Sequence, residues 1–243
     1  VKVIKLSAID STNSYLKALN AEMDVADRTI VWAESQTRGR GQRELRWQSK
    51  AGESLTFSIL KRFSGLDSKD QFYVSMAVSI AVANTLKEFL VANVKIKWPN
   101  DILSDSKKLC GILIENQLKS GKLNAAVIGI GLNVNDDELE GLPKAGSVYQ
   151  VTGVKFVLED VFSALTSEIA KQLDRLENDN LEALKREYES ALFRRDEITV
   201  FETAEGERFN GIIRGINPLG LLLLDTEKNG VIEFGTKEIT MLY

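Results

Sequence analysis

Histidine is absent from this chain of 243 residues, and cysteine occurs once, at Cys110. Without histidine there is no Ser-His or Cys-His nucleophile, no imidazole general base and no histidine-ligated zinc. A lone cysteine excludes a disulfide framework and a cysteine-cluster metal site. An enzyme of this composition must run its first step without histidine-type proton transfer. Three prolines leave little room for proline-rich linkers, and no repeat or low-complexity tract is visible. Long apolar runs are missing too. The charge-free stretch from Gln71 to Leu86 includes Ser75, Ser79, Asn84 and Thr85. It is also shorter than the ~20 apolar residues a membrane span needs. Nor is there an excess of positive charge, and the net charge of -4 argues against a general nucleic-acid-binding surface. With 44% apolar and 27% charged residues, the chain reads as an ordinary soluble globular protein, long enough for one large domain and a small one. No secretory signal precedes Lys2–Leu6, so a cytoplasmic location without membrane contact is expected.

What is present concentrates between Val31 and Trp47, VWAESQTRGRGQRELRW. Its first half alternates as a buried strand does. Its second half sets Gly39 and Gly41 around Arg40, with Arg38, Gln42, Arg43 and Arg46 beside them. Glycines let backbone N–H groups approach a phosphate or carboxylate, and arginine adds a fixed fork of donors. On this stretch alone, an anion-closing loop and a solvated basic loop both remain open.

Around it the periodicities predict a strand at Val3–Leu6 and a helix opening at Asp10-Ser11-Thr12-Asn13, where Ser, Thr and Asn read as caps. A strand at Ser54–Leu60 and a long buried helix over Gln71–Leu90 follow. In VKIKWPND, Val94, Ile96 and Trp98 alternate with lysines until Pro99 ends the strand, leaving Asn100 and Asp101 at its tip. Gly111–Leu118 and Leu123–Val134 form a hairpin across Lys-Ser-Gly-Lys, and Gly129 and Gly131 within it mark close approach by another group. Helices are expected at Leu158–Leu176 and about Asn180–Leu192. Beyond Phe193, short strands at Glu197–Phe201, Arg208–Ile216, Leu219–Asp225 and Gly230–Phe234 predict a small β-barrel-like domain.

Four segments in this order, SerThrAsn at 11–13, QTRGRGQ at 36–42, KWPND at 97–101 with Lys108-Leu109-Cys110-Gly111, and GIGLN at 129–133, resemble the biotin–protein ligases, also called biotin–[acetyl-CoA-carboxylase] ligases or holocarboxylase synthetases. The resemblance implies an α+β fold: a class II synthetase-like catalytic domain over 1–192, a mixed sheet with helices, then an SH3-like domain over 193–243. A first strand at Val3 matches the short type without a DNA-binding helix-turn-helix, so no DNA partner is expected. The implied reaction makes biotinyl-5′-adenylate and pyrophosphate from biotin and ATP, then transfers biotin to a lysine of a biotin carboxyl carrier protein or domain. A carboxylate is already an ionised nucleophile at neutral pH, which agrees with a histidine-free first step.

By resemblance, Ser11, Thr12, Asn13 and Gln36 meet the ureido ring of biotin, and the backbone of Gly39, Arg40, Gly41 and Gln42 meets its carboxylate. Gly111, Gly129 and Gly131 make room for its rings. Arg40 and Lys108 serve both the carboxylate and the α-phosphate, while Arg43, Trp47, Asn100 and Asn133 meet the adenylate. Asp101 orients or deprotonates the acceptor lysine. Mg2+ is expected with ATP, without identified ligands, and the oligomeric state is a monomer or a homodimer. Many members carry arginine at the position of Gln42 and a small residue at that of Glu44. The loop here is therefore less cationic, which is expected to weaken retention of the adenylate more than biotin binding itself. Alternatives are a lipoate–protein ligase of the same fold, a phosphate-contacting nucleic-acid-binding protein and a non-catalytic biotin-binding module.

Overall fold

Strands whose side chains are buried on both faces need cover on both sides, and this chain supplies helices to each face of one sheet. The structure is a computed structural model and describes residues 2–42, 46–178 and 181–243. Its strands are β1 (Val3–Ile9), β2 (Ile30–Gln36), β3 (Ser54–Arg62), β4 (Val94–Lys97), β5 (Asp101–Ser104), β6 (Lys107–Lys119) and β7 (Lys122–Asn133). They form one sheet in the order β1-β2-β3-β7-β6-β5-β4, with β1 and β2 parallel and the other neighbours antiparallel.

Alternate residues of the central strands go to different cores. Leu55, Phe57 and Ile59 of β3 and Ile128, Ile130 and Leu132 of β7 join the large core formed with α2 (Phe72–Glu88), α4 (Leu158–Asn178) and α5 (Leu181–Ser190). Leu60 of β3 and Ala125 and Val127 of β7 face the other way, onto Leu16 of α1 (Thr12–Glu22). α2 is buried nearly all round, as its apolar sequence predicts, because sheet and helices enclose it. The short α3 (Val148–Thr152) and the strand β5 go beyond the elements read from the sequence.

β8 (Ile198–Thr203), β9 (Arg208–Ile216), β10 (Leu222–Thr226), β11 (Gly230–Phe234) and β12 (Ile239–Leu242) make a second, antiparallel sheet of the SH3-like kind, in the order β11-β10-β9-β8-β12. It is not a separate bead. Phe201, Ile213, Leu222, Ile239 and Met241 belong to the same core as α2 and α4. The Trp98 indole donates to the Gly220 carbonyl at 2.9 Å. Gly220 has φ +85, and a Cβ there would overlap the Phe72 ring. Gly220→Ala is therefore expected to destabilise the fold by about 1–2 kcal/mol, through strain and overpacking together. Urea unfolding checks this; an unchanged midpoint would mean that the seam between the sheets tolerates slack.

Candidate active site

The register of the first sheet assembles a site before any loop is considered. Leu6, Ala33, Thr56, Gly131, Gly111, Asp101 and Lys97 stand opposite one another in turn, one residue from each of the seven strands. Facing residues in paired strands point to the same side of a sheet. The middle of this row is a floor of small residues, and one end carries a carboxylate and an ammonium.

Over the floor lies Trp47. Its indole occupies the space where a side chain on Gly131 or Gly111 would be. Trp47 reaches this place because its backbone N–H donates to the Gly39 carbonyl at 3.0 Å, and a β-bridge joins Arg40 to Arg46. A Cβ on Gly39 would collide with the Trp47 carbonyl, so the first glycine of the loop serves close backbone approach. Gly41, Gln42 and Arg46 reach the cavity; Arg43, with Glu44 and Leu45, lies outside the described residues.

The second row, Val31, Ser58, Gly129 and Leu113, carries the polar cluster. Ser11 caps α1 as predicted, accepting from the N–H of Ser14, and is itself buried. The Gln36 side-chain oxygen accepts from the Thr12 N–H at 2.9 Å and the Thr12 hydroxyl at 3.2 Å. The fully buried Ser58 hydroxyl lies 2.6 Å from Asn13 Oδ1 and 2.7 Å from Thr12 Oγ1. Asn13 Nδ2 donates to the Leu113 carbonyl and to Glu115, and its side chain fills the space above Gly129.

Lys108 owes its place to a β-bulge. The pairing of β5 with β6 shifts by one residue at Ile102/Leu103, so simple alternation from Gly111 no longer holds. Leu109, Cys110 and Ile112 all enter the large core. The Lys108 ammonium lies 3.3 Å from where a Cβ on Gly111 would be and 2.7 Å from Asp101 Oδ1. Cys110 faces the core, where burial pushes its thiol up and keeps it unreactive.

These groups enclose a cavity of about 470 Å³ between the first sheet, the glycine-arginine loop and the second sheet. It brings together Ser11, Thr12, Asn13, Gln36, Arg40, Trp47, Asn100, Asp101, Lys108 and the glycines at 111, 129 and 131. Two of the expected residues stand outside its lining. Gly39 shapes the loop from behind. Asn133 is buried, donating from Nδ2 to the Gly146 carbonyl at 2.9 Å, while its Oδ1 has no partner among the described residues. Asn100 is not at a free strand tip: it sits in the turn of the β4–β5 hairpin and donates to the Ile112 carbonyl at 2.5 Å. Among the described lining residues, Arg40, Arg46, Lys97 and Lys108 face one carboxylate, Asp101. Such a cavity suits an anion.

A family model described as the biotin/lipoate A/B protein ligase family matches residues 6–133. This chain belongs to that family. It is therefore a ligase, and its relatives are ligases by name. The bifunctional ligase/repressor BirA of Escherichia coli (strain K12) is 30% identical over 233 residues, covering 95% of this chain and 71% of that one. The biotin–[acetyl-CoA-carboxylase] ligase of Paracoccus denitrificans is 28% identical, covering 90% and 92%. Among solved structures, the biotin protein ligase of Aquifex aeolicus in complex with biotin and ATP superposes with a TM-score of 0.81 at 26% identity, covering 99% and 98%.

Within this ligase site the structure adds residues that the sequence reading passed over. Ser58 had a signal: Ser54, Thr56 and Ser58 recur at period two between the apolar residues Leu55, Phe57 and Ile59, a buried hydroxyl stripe whose last member meets α1. Glu115 had none. Its carboxylate pairs with Lys17 at 2.8 Å and Arg40 at 3.3 Å. Burial works to raise its pKa, but hydrogen bonds from Lys17 and Asn13 and the Arg40 charge outweigh it and hold it below the usual carboxylate range. Since a group with a depressed folded pKa adds stability above its unfolded value, Glu115→Gln should cost about 1–2 kcal/mol at pH 7. The difference should shrink as pH falls below the ordinary value of 4.5. Urea midpoints at about pH 7 and pH 3.5 check the sign, and a difference that grows in acid would refute it. Arg40 itself is half exposed. Such a pair is worth at most about 1 kcal/mol, so an entering anion can recruit the guanidinium at little cost.

Proposed function

We propose that this protein is an ATP-dependent biotin–protein ligase, joining biotin to ATP as biotinyl-5′-AMP and then to a lysine of a biotin carboxyl carrier domain. One observation carries the reading. A single cavity is lined by an uncharged hydroxyl–amide cluster, Ser11, Thr12, Asn13 and Gln36, backed by the buried Ser58, and by the cations Arg40 and Lys108. A cyclic urea offers one carbonyl acceptor and two N–H donors, which that cluster can match. The dithiolane of lipoate offers neither and would meet that polar cluster without a hydrogen bond, a mismatch that can cost about 10⁴-fold in selectivity.

In the first step the biotin carboxylate attacks the α-phosphate and pyrophosphate leaves. Lys108 and Arg40 neutralise the two anions as they approach, and no base is required. The glycine floor at 111 and 131 leaves a flat surface that takes a ring, here that of Trp47. Asn100, Asn133, Trp47 and Arg43 are assigned to the adenylate, with residues 1–192 as the catalytic unit and 193–243 as the SH3-like one. The cavity's donor set is lysine, arginine and amide, and its carboxylate is already paired with lysines. That set does not fit a resident Mg2+, and no step is routed through one.

The test is pyrophosphate release from MgATP by the purified protein, with biotin and with lipoate in parallel. Release with biotin supports the reading. Release with lipoate alone would keep the fold and discard the substrate.

A further inference from the structure

Lys97 lines the cavity, yet neither the adenylation step nor the polar cluster uses it. It closes the seven-strand row beside Asp101, and its ammonium stands 3.7 Å from Asp101 Oδ2, while Lys108 stands 2.7 Å from Oδ1. The first distance is an ion pair too long for a hydrogen bond. Asp101 is thus held by charge at both oxygens and occupied at one.

The second sheet completes the arrangement. The Tyr243 ring, just beyond β12, lies 5.4 Å from the Lys97 ammonium and 4.2 Å from that of Lys144, and it packs edge-on against Phe193. Burial, first, and the Asp101 charge raise the phenol, so the ring stays neutral. Burial also pulls Lys97 below the usual lysine range; Asp101 acts against this, and Lys108 and Lys144 act with it. Keeping a cation there is unfavourable unless Asp101 and an aromatic face compensate, and both are present.

We infer that Lys97, braced by Tyr243, is a positioning residue for the transfer step, holding Asp101 with Oδ2 free to take the proton of the acceptor ammonium. This rests on the biotin-ligase reading. In the step, the acceptor nitrogen gives one proton to Asp101 and attacks the acyl carbon of the adenylate. The C–N bond forms, the C–O bond to phosphate breaks, and AMP leaves with the electron pair. The remaining extra proton on nitrogen passes to solvent as the adduct collapses. The second sheet would thereby act on the chemistry through one ring.

The test separates proton removal from everything else by using two nucleophiles on adenylate formed in place. Hydroxylamine is neutral at pH 7, whereas the side chain of Nα-acetyl-lysine methylamide is protonated. Lys97→Met should lower amide formation with the lysine probe by about 10- to 100-fold more than it lowers hydroxamate formation. Lys97→Arg should recover most of that gap. Tyr243→Leu, which leaves Lys97 in place, should open a smaller gap of the same kind, and Tyr243→Phe should close it. Equal losses with both nucleophiles would reduce Lys97 to a structural role and overturn the inference. No biotin hydroxamate from the unsubstituted protein would sink the ligase reading, and this inference with it.

Discussion

Lys108→Ala should lower biotin-dependent pyrophosphate release by about 100- to 1,000-fold. A carboxylate and a phosphate brought to about 4 Å repel by roughly 4 kcal/mol at the effective dielectric of a protein surface. Each 1.36 kcal/mol left uncompensated is about a factor of ten in rate, so roughly three decades depend on the cations between the two anions. Arg40 is half exposed and engaged with Glu115, whereas Lys108 is fixed by the bulge and by Asp101 at 2.7 Å. Lys108 therefore carries most of the effect. The fold should be little disturbed, because Asp101 keeps Lys97 beside it. Single-turnover pyrophosphate release alongside thermal unfolding makes the distinction: a loss below tenfold with an unchanged midpoint would remove Lys108 from the adenylation step.

That dependence on a bulge shows where the sequence stops being legible. Strands, helices and their faces follow from period-two and helical apolar patterns, so β3, β7, α2 and α4 lie where the pattern puts them. The small residues of the first sheet were half visible, since Gly129 and Gly131 stand out within a strand. Their opposition to Ser58 and Thr56 depends on strand order, a non-local choice that no local pattern encodes. Alternation counted back from Gly111 would send Lys108 into the core, and the residues alone give no sign of the shift at Ile102/Leu103. β12 escaped because four residues carry too little periodicity. Its Thr240 and Met241 nevertheless wall the cavity. The motif resemblance reached Lys108 and Asp101 without geometry, but it could not reach Lys97, Ser58 or Glu115 as partners, because pairing across the fold assigns those roles.

Gly131→Val tests whether the glycine floor exists for what lies on it. A Cβ at Gly131 falls within the Trp47 indole, and valine adds two methyl groups in the same direction. The strand cannot yield, because β7 is held by hydrogen-bonded neighbours on both sides, Thr56 across from Gly131 on one and Gly111 on the other. The indole must leave, and an overpacking cost of about 3 kcal/mol is expected. Biotin-dependent pyrophosphate release should fall at least about tenfold, since the same volume is needed by a substrate ring. Intrinsic preference runs the other way, because valine suits a strand interior better than glycine does. In a Trp47→Ala background the clash is gone, and Gly131→Val should become neutral or stabilising by up to about 1 kcal/mol. The coupling between the two positions, read from urea midpoints of the four proteins, should therefore reach about 3 kcal/mol. Additive costs would mean that the glycine is required by the backbone alone, and the floor would lose its purpose as a surface for rings.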